Sequence, residues 1–408
     1  MKRNALSDVA AIQQGKYLAK DAMAPERTSE CPIPVHGANG IIGWTAEPMY
    51  EHGVPLVTCR GSNCGMVLWA EGPLWVSNNA MAILPKNGLR RFMYYRLLSS
   101  PPYDVVSGSA QPQITRTALE PREYEFPSEE AQAHIEGLLS ALDDKIDLNR
   151  RMNETLEAQA RALFRDWFVD FGPVKAKMAG DTPYLAPDLW SLFPNRLDDD
   201  GVPEEWAYST IGTEVDAVGG STPSTKNAEF WDGDIAWTTP KDLSGLNSPI
   251  LLDTSRSITS AGLAKISSGL LPEGTVLLSS RAPVGYLAIT QIPLAVNQGY
   301  IAMRCDGRIS NYFVFLWAKE NMDLILQNAN GSTFQEISKK NFRPLPVIVA
   351  EQPIHRQFDN MVKPLFEKIV ANELESRTLA QTRDLLLPKL MSGEIRVGDV
   401  SSVELSAA

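Results

Sequence analysis

One pattern limits this chain more than any other: a long apolar stripe at helical spacing, present twice. Ile135, Leu139, Leu142, Ile146, Asn149, Asn153, Leu156, Ala160, Leu163 and Trp167 step by alternating fours and threes. A helix with such a heptad seam buries the stripe against another helix. Adding 223 to each number gives Phe358, Val362, Leu365, Ile369, Asn372, Ser376, Leu379, Arg383, Leu386 and Leu390. The period is the same, and polar residues stand at the same two central places. One chain therefore carries two copies of a long seam helix, each a partner for the other. The copies differ in that Ala160 is answered by Arg383, and that Pro364 and Pro388 lie only in the second. Each proline predicts a bend or an early end, so the pair is expected to be least regular near Leu386–Leu390. The central Asn149, Asn153, Asn372 and Ser376 either fix an antiparallel register by meeting centre on centre, or line a solvated gap.

The duplication extends beyond the helices. GSAQPQIT at 108–115 aligns with GSTFQEIS at 331–338 at the same offset, and PLWV at 73–76 aligns with PLAV at 293–296. Gly65 aligns with Gly285, Arg60 falls within one residue of the match to Arg281, and LSDV at 6–9 resembles the opening IGTEV at 211–215. The order is globule, helix, globule, helix. Residues 1–127 read as a mixed α/β globule, with strands at 55–59, 65–70 and 74–84 and a helix at 89–98. Residues 128–171 form the first seam helix, capped by Ser128 with Glu129 and Glu130 and stopped at Phe171-Gly172-Pro173. Residues 172–205 hold Pro173, Pro183, Pro187, Pro194 and Pro203 and read as a linker, although Tyr184, Leu189, Trp190 and Phe193 suit packing on something. Residues 206–350 repeat the α/β pattern, with strands at 275–278, 285–290 and 294–304 and a helix at 311–326. The second seam helix occupies 351–397, stopping at Ser392-Gly393, and the tail at 398–408 reads as disordered. The fold class is α+β: two similar α/β globules and two long helices pairing antiparallel as a coiled coil, with internal pseudo-twofold repetition.

At 408 residues the chain exceeds one ordinary core, and its 44% hydrophobic fraction suits globular domains. It has no run of about 18 apolar residues for a membrane span and no signal-like opening, so a cytoplasmic protein is expected. Four cysteines and four scattered histidines predict neither a disulfide framework nor a metal site. The net charge of −11 opposes nucleic-acid binding at first sight, but −6 of it lies in residues 179–205. Residues 1–127 carry +1 and 206–350 carry −1, which leaves room for a local basic groove in either globule. The seam of 33 residues would be about 50 Å long, against about 34 Å for a turn of B-DNA. Such a molecule either touches two short DNA sites with the helices as a ruler, or is a scaffold that spaces two partner proteins.

Over almost its whole length the chain resembles the DNA-specificity subunits of type I restriction–modification systems. The resemblance rests on GGSTPST at 219–225, FWDGDIAWTTPKDL at 230–243, SSRAPVGYLAI at 279–289, LAVNQGYIAM at 294–303 and LLLPKLMSGEI at 385–395. The first half matches less sharply, through GSAQPQIT at 108–115 and the helix after it. The resemblance implies that each globule is a target-recognition domain for one half of a split double-stranded DNA site. It implies two methyltransferase subunits docked on this chain and motor–nuclease restriction subunits joining later. S-adenosylmethionine, ATP and magnesium would be bound by those subunits and no cofactor by this one, which would itself be non-catalytic. Trp167, Phe168 and Phe171 are too large to leave exposed; they either dock a methyltransferase subunit or fold onto residues 184–193.

Base readout needs donors and acceptors on exposed loops. In the second globule the candidates are Lys241 after Thr239-Pro240, Ser280 and Arg281 between strands, Asn297 and Gln298 before Gly299, and Thr333 and Gln335. In the first they are Arg60, Ser62, Asn78, Asn79, Gln111 and Gln113, with His36 and Asn39 in the HGANG turn. Each of these types also serves as an ordinary turn or capping residue. A rival reading starts from Ser100-Pro101-Pro102-Tyr103, which has the form of the catalytic motif of DNA amino-methyltransferases. Such an enzyme also needs a glycine-rich cofactor loop, which the chain lacks, and positions 323–326 of the sister globule carry no such motif.

Overall fold

The computed structural model describes residues 1–331 and 335–397, so the tail at 398–408 lies outside the described residues. The chain forms two compact units, one of residues 1–146 with those from Arg377 on, the other of residues 147–376. Each unit combines one globule with a stretch of both long helices.

In the first unit the strands are β1 (Lys2–Ala5), β2 (Ala10–Gln14), β3 (Ile33–Gly37), β4 (Gly40–Thr45) and β5 (Val54–Thr58). They continue with β6 (Val67–Ala70), β7 (Trp75–Val76), β8 (Ala80–Pro85) and β9 (Glu123–Phe126). An antiparallel sheet has the order β2-β8-β5-β6. A second has the order β4-β3-β7, in which β3 runs antiparallel to β4 and parallel to β7, and β1 pairs with β9.

The second unit begins β10 (Ala207–Thr210), β11 (Asp216–Val218), β12 (Trp231–Thr238), β13 (Ile250–Leu251) and β14 (Arg256–Ile258). β15 (Val276–Ser280), β16 (Val284–Thr290), β17 (Leu294–Val296), β18 (Tyr300–Arg304) and β19 (Pro346–Val349) follow. Its sheets are β11-β18-β15-β16-β13, β14-β12-β17 and β10-β19. With β13 set aside, strand order and direction match the first unit throughout, including the single parallel pair β12–β17. The duplication in the sequence is a duplication of topology.

Two expected strands are each two strands. The stretch at 74–84 breaks at 77–79 and that at 294–304 breaks at 297–299, because Asn and Gly there favour a tight turn over a continued ladder. The helix expected at 311–326 likewise divides at Asn321, whose side chain donates back to the Trp317 carbonyl at 2.9 Å.

The long helices span Glu129–Phe168 and Gln352–Ser392, and none of the twenty seam positions is exposed. The expected early end is not found: the second helix continues through Pro364 and Pro388. Both prolines lie on its exposed face, where water can take the carbonyl that each missing N–H leaves unpaired. Leu387 and Leu390 are buried in the first unit's core. Gly393, in the left-handed region at φ 76°, ends that helix. The first helix stops differently: Phe171 takes the left-handed turn and Gly172 starts a new helix, Gly172–Ala179. A Cβ on Gly172 would meet the Asp166 carboxylate, which is why glycine stands one place later than a cap requires.

Within each unit the two helices run antiparallel. In the second, Asn149 donates to Ser376 Oγ at 3.2 Å and to Glu375 at 2.8 Å. Asn372 donates to Asn153 Oδ1 at 2.8 Å, and Asn153 donates to Glu373 at 2.7 Å. The four central polar residues therefore meet, and one helix's slip past the other would leave buried amides unpaired. In the first unit Arg383 donates to Asp143 at 2.7 Å, and the Tyr95 hydroxyl donates to the other oxygen at 2.6 Å. At the duplicate positions the second unit has Ala160 and Phe366, both buried. One unit fills the site with a charge pair and the other with a ring.

Trp167, Phe168 and Phe171 fold inward. Trp167 packs on Phe193 with centroids 5.1 Å apart, and Phe168 and Phe171 each lie 5.7 Å from Trp206. The stretch read as a linker holds a helix at Pro187–Leu192 and contributes Phe193 and Val202 to the core. His355, 1% exposed, stacks on Phe168 at 5.3 Å, and neither ring nitrogen has a hydrogen-bond partner.

Candidate nucleic-acid interface

Register places the candidate residues more firmly than alignment does. In the first unit β3 pairs Val35 with Trp75 and His36 with Val76, and in the second β12 pairs Trp237 with Ala295 and Thr238 with Val296. His36 thus corresponds to Thr238, and Asn39 and Lys241 each lie three residues further on, in loops that share no sequence. The hairpins between β5 and β6 and between β15 and β16 carry Arg60 and Arg281 at equivalent places. The turns at 77–79 and 297–299 supply Asn78 and Gln298. The loops that reach Gln113 and Glu336 close the set.

Main-chain hydrogen bonds tie these four segments into one platform in each unit. In the first, Ser77 N donates to His36 O at 2.9 Å, Cys59 N to Asn79 O at 2.8 Å, and Ile114 N to Cys59 O at 3.1 Å. In the second, Asn297 N donates to Thr238 O at 3.1 Å, Ser280 N to Gly299 O at 2.8 Å, and Ile337 N to Ser280 O at 3.0 Å. Arg60 bridges Gln113, and Arg281 bridges Glu336, in the same antiparallel sense. The residue before each arginine has both its amide and its carbonyl committed to neighbouring segments, so the arginine leaves a fixed base.

The side chains sort by role. Arg60, Ser62, Gln111, Gln113, Asn39, Lys241, Gln298 and Gln335 are exposed, and Asn78, Asn79, His36, Asn297 and Arg281 are half-buried. Asn39 accepts from Asn63 Nδ2 at 2.7 Å, which joins the HGANG turn to the Arg60 hairpin; Asn63 was not among the candidates. Asn297 accepts from Gly299 N at 2.8 Å and Gln298 from Thr222 Oγ1 at 2.7 Å, so both amides have turn-holding work. Burial holds the His36 imidazole below its ordinary pKa, making it neutral near pH 7. Thr333 lies outside the described residues. Ser280 is a correction: it is 3% exposed at the end of β15, and burial withdraws it from a surface contact.

Lys241 is carried on a short capped turn. Thr239 N donates to Asp242 Oδ2 at 2.7 Å and Ser255 N to Oδ1 at 3.0 Å. Burial pushes the Asp242 carboxyl up, but the hydrogen bonds from Ser255 and Thr239 outweigh it and hold it below the ordinary carboxylate value. Asp242→Ala is expected to cost about 1 kcal/mol of stability, the usual worth of a cap, measured as a lower denaturant midpoint. The difference between parent and variant should be full above the unfolded value of 3.8 and vanish as pH falls through the folded one.

The Ser100-Pro101-Pro102-Tyr103 motif has a structural occupation. Arg122 donates to the Ser100 carbonyl at 2.9 Å, to its Oγ at 3.1 Å and to the Pro101 carbonyl at 3.2 Å. The Tyr103 ring covers Gly65, where a Cβ would approach it to 2.7 Å. The motif braces the foot of the Arg60 hairpin.

The model of the type I restriction modification DNA specificity domain matches residues 1–158 and 203–367, one copy for each globule. A Haemophilus influenzae protein named as the type I restriction enzyme HindI specificity subunit is 28% identical over 371 residues, 78% of this chain and 79% of its own. The MjaIX specificity subunit of Methanocaldococcus jannaschii is 27% identical over 361 residues, 86% of this chain and 80% of its own. The crystal structure of a type I restriction–modification S subunit from M. genitalium shares the fold at a TM-score of 0.58, with 17% identity and 95% of each chain covered. Among the described residues no helix is long and apolar enough to cross a membrane. With the family model spanning both globules and with each globule building the same loop platform, this chain belongs to the type I restriction–modification DNA-specificity family.

Proposed function

We propose that this chain reads a bipartite double-stranded DNA sequence, one half through each loop platform, and directs methyltransferase and restriction subunits to it in the cytoplasm. The observation that carries this reading is the platform built twice on one topology from loops of different sequence. A constant frame with variable loops suits two readers of different half-sites. In the first unit Arg60, Ser62, Asn78, Asn79, Gln111, Gln113, His36 and Asn39 supply donors and acceptors. Lys241, Arg281, Asn297, Gln298 and Gln335 do so in the second, with Arg suited to guanine and Asn or Gln to adenine. The chain itself performs no group transfer; two methyltransferase subunits and motor–nuclease subunits bind the S-adenosylmethionine, ATP and magnesium.

The test is to assay the purified chain alone, and co-expressed with its methyltransferase subunits, on a library of randomised duplex DNA. The expected result is weak binding and no methyl transfer by the chain alone, and methylation at a split motif by the assembly. Methyl transfer by the purified chain unaided would overturn the reading.

A further inference from the structure

Each arginine hairpin is closed by a fully buried hydroxyl. Thr58, at the end of β5, accepts from Met66 N at 3.0 Å and donates to the Asn63 carbonyl. Ser279, on β15, accepts from Tyr286 N at 2.8 Å and donates to the Pro283 carbonyl at 2.8 Å. Both residues are 0% exposed. The pattern is the same in the two units, although the residue type differs and the first hairpin is one residue longer.

The hydroxyl sits where the sheet ladder fails. Beyond it the chain turns outward, with Gly61, Gly65, Ala282 and Gly285 all at positive φ, and the β15–β16 register shifts between Leu278 and Ser280. Strand pairing therefore cannot satisfy the amide and carbonyl at the hairpin's foot. One hydroxyl can do both, because it donates once and accepts on its lone pairs. The next residue, Cys59 or Ser280, is held from both sides by the neighbouring loops, and the one after that is Arg60 or Arg281. Among the described residues, nothing else in the hairpins ties their two strands by a side chain so close to the arginine.

We infer that Thr58 and Ser279 are positioning residues for sequence recognition, each setting the hairpin that carries the arginine of its own unit. The inference rests on the reading that those hairpins meet DNA. Removing the Ser279 hydroxyl takes a partner from the Tyr286 N–H and the Pro283 carbonyl, and removing that of Thr58 leaves the Met66 N–H and the Asn63 carbonyl only their mutual bond at 3.1 Å, so either hairpin relaxes to recover what is lost. A misplaced arginine fork loses base discrimination before it loses phosphate attraction, since only the former depends on bidentate geometry.

The test uses the chain co-expressed with its methyltransferase subunits and a library of randomised duplex DNA, with methylated sites read by sequencing. Thr58→Val is expected to lower base preference about tenfold in one half of the motif, and Ser279→Ala in the other, a change equivalent to about 1.4 kcal/mol. Thr58→Ser and Ser279→Thr should restore the preference, since each keeps the hydroxyl. Should Thr58→Val not accumulate as folded chain, Ser279→Ala deletes a single atom and tests the same point in the other unit. Equal loosening of both halves, or an unchanged profile from folded variants, would overturn the clamp. Arg60→Ala and Arg281→Ala serve as the reference: if they too leave the motif unchanged, the hairpin reading itself fails, whereas an effect from the arginines alone removes only the clamp.

Discussion

Arg281→Ala should weaken recognition of one half-site by about five- to 150-fold and leave base preference in the other half intact. The magnitude is that of a lost bidentate arginine–guanine contact, about 1–3 kcal/mol. The guanidinium is available for it. Its Glu336 neighbour lies 4.0 Å away, and the two side chains are 39% and 51% exposed, so the pair is worth little. Its backbone is not loose, because Ser280 is tied to Gly299 and Ile337 on either side. Arg281→Lys should fall between, since it keeps the charge and loses the fork. The measurement is the methylation profile of the assembled complex across variants of each half-site. Equal loss in both halves would mean the two units do not read independently.

Acid should weaken the second unit through His355. Burial lowers its pKa to about 4, Arg308 adds to the effect and Glu214 opposes it. The folded unit therefore keeps the ring neutral while the unfolded chain, titrating near 6.5, takes up a proton. The stability from a neutral ring is fully present above 6.5 and is lost as pH falls toward 4, by about 3 kcal/mol across the window. His355→Phe fits a site walled by Phe168 and Phe313 and removes the titration. Denaturation at pH 7 and pH 5 should show the parent losing more stability than the variant. Parallel losses would place the acid sensitivity in carboxylates elsewhere.

How much of this was legible beforehand depends on the range over which each feature is decided. The long helices were plain, because a heptad stripe is local and its partner stood at a constant offset in the same chain. The central asparagines stood out for the same reason, but whether they meet or line a solvated gap was open until the structure paired them. The prolines misled, since a ring at an exposed helix position leaves its unpaired carbonyl to water and need not break the helix. Strands β1 to β4, β9 to β14 and β19 went unseen: all but β12 are short, and they take their stability from partners distant in the chain, β8, β7, β18 and β17 among them. Glycine and asparagine mark the turns of the proposed contact loops, but the Asn63–Asn39 bond and the burial of Ser280 were not legible, because contact and exposure at a strand end are set by neighbouring segments.

By itself the sequence determined that the chain is a duplication and that its helices share a seam. These follow from periodicity and repeated offsets, which are properties of residue order. Only the tertiary structure decided that His36 and Thr238 hold one register position, that Trp167 and Phe168 turn inward, and that a buried hydroxyl closes each arginine hairpin. Those outcomes depend on strand register and on competition for buried space between residues far apart in the chain.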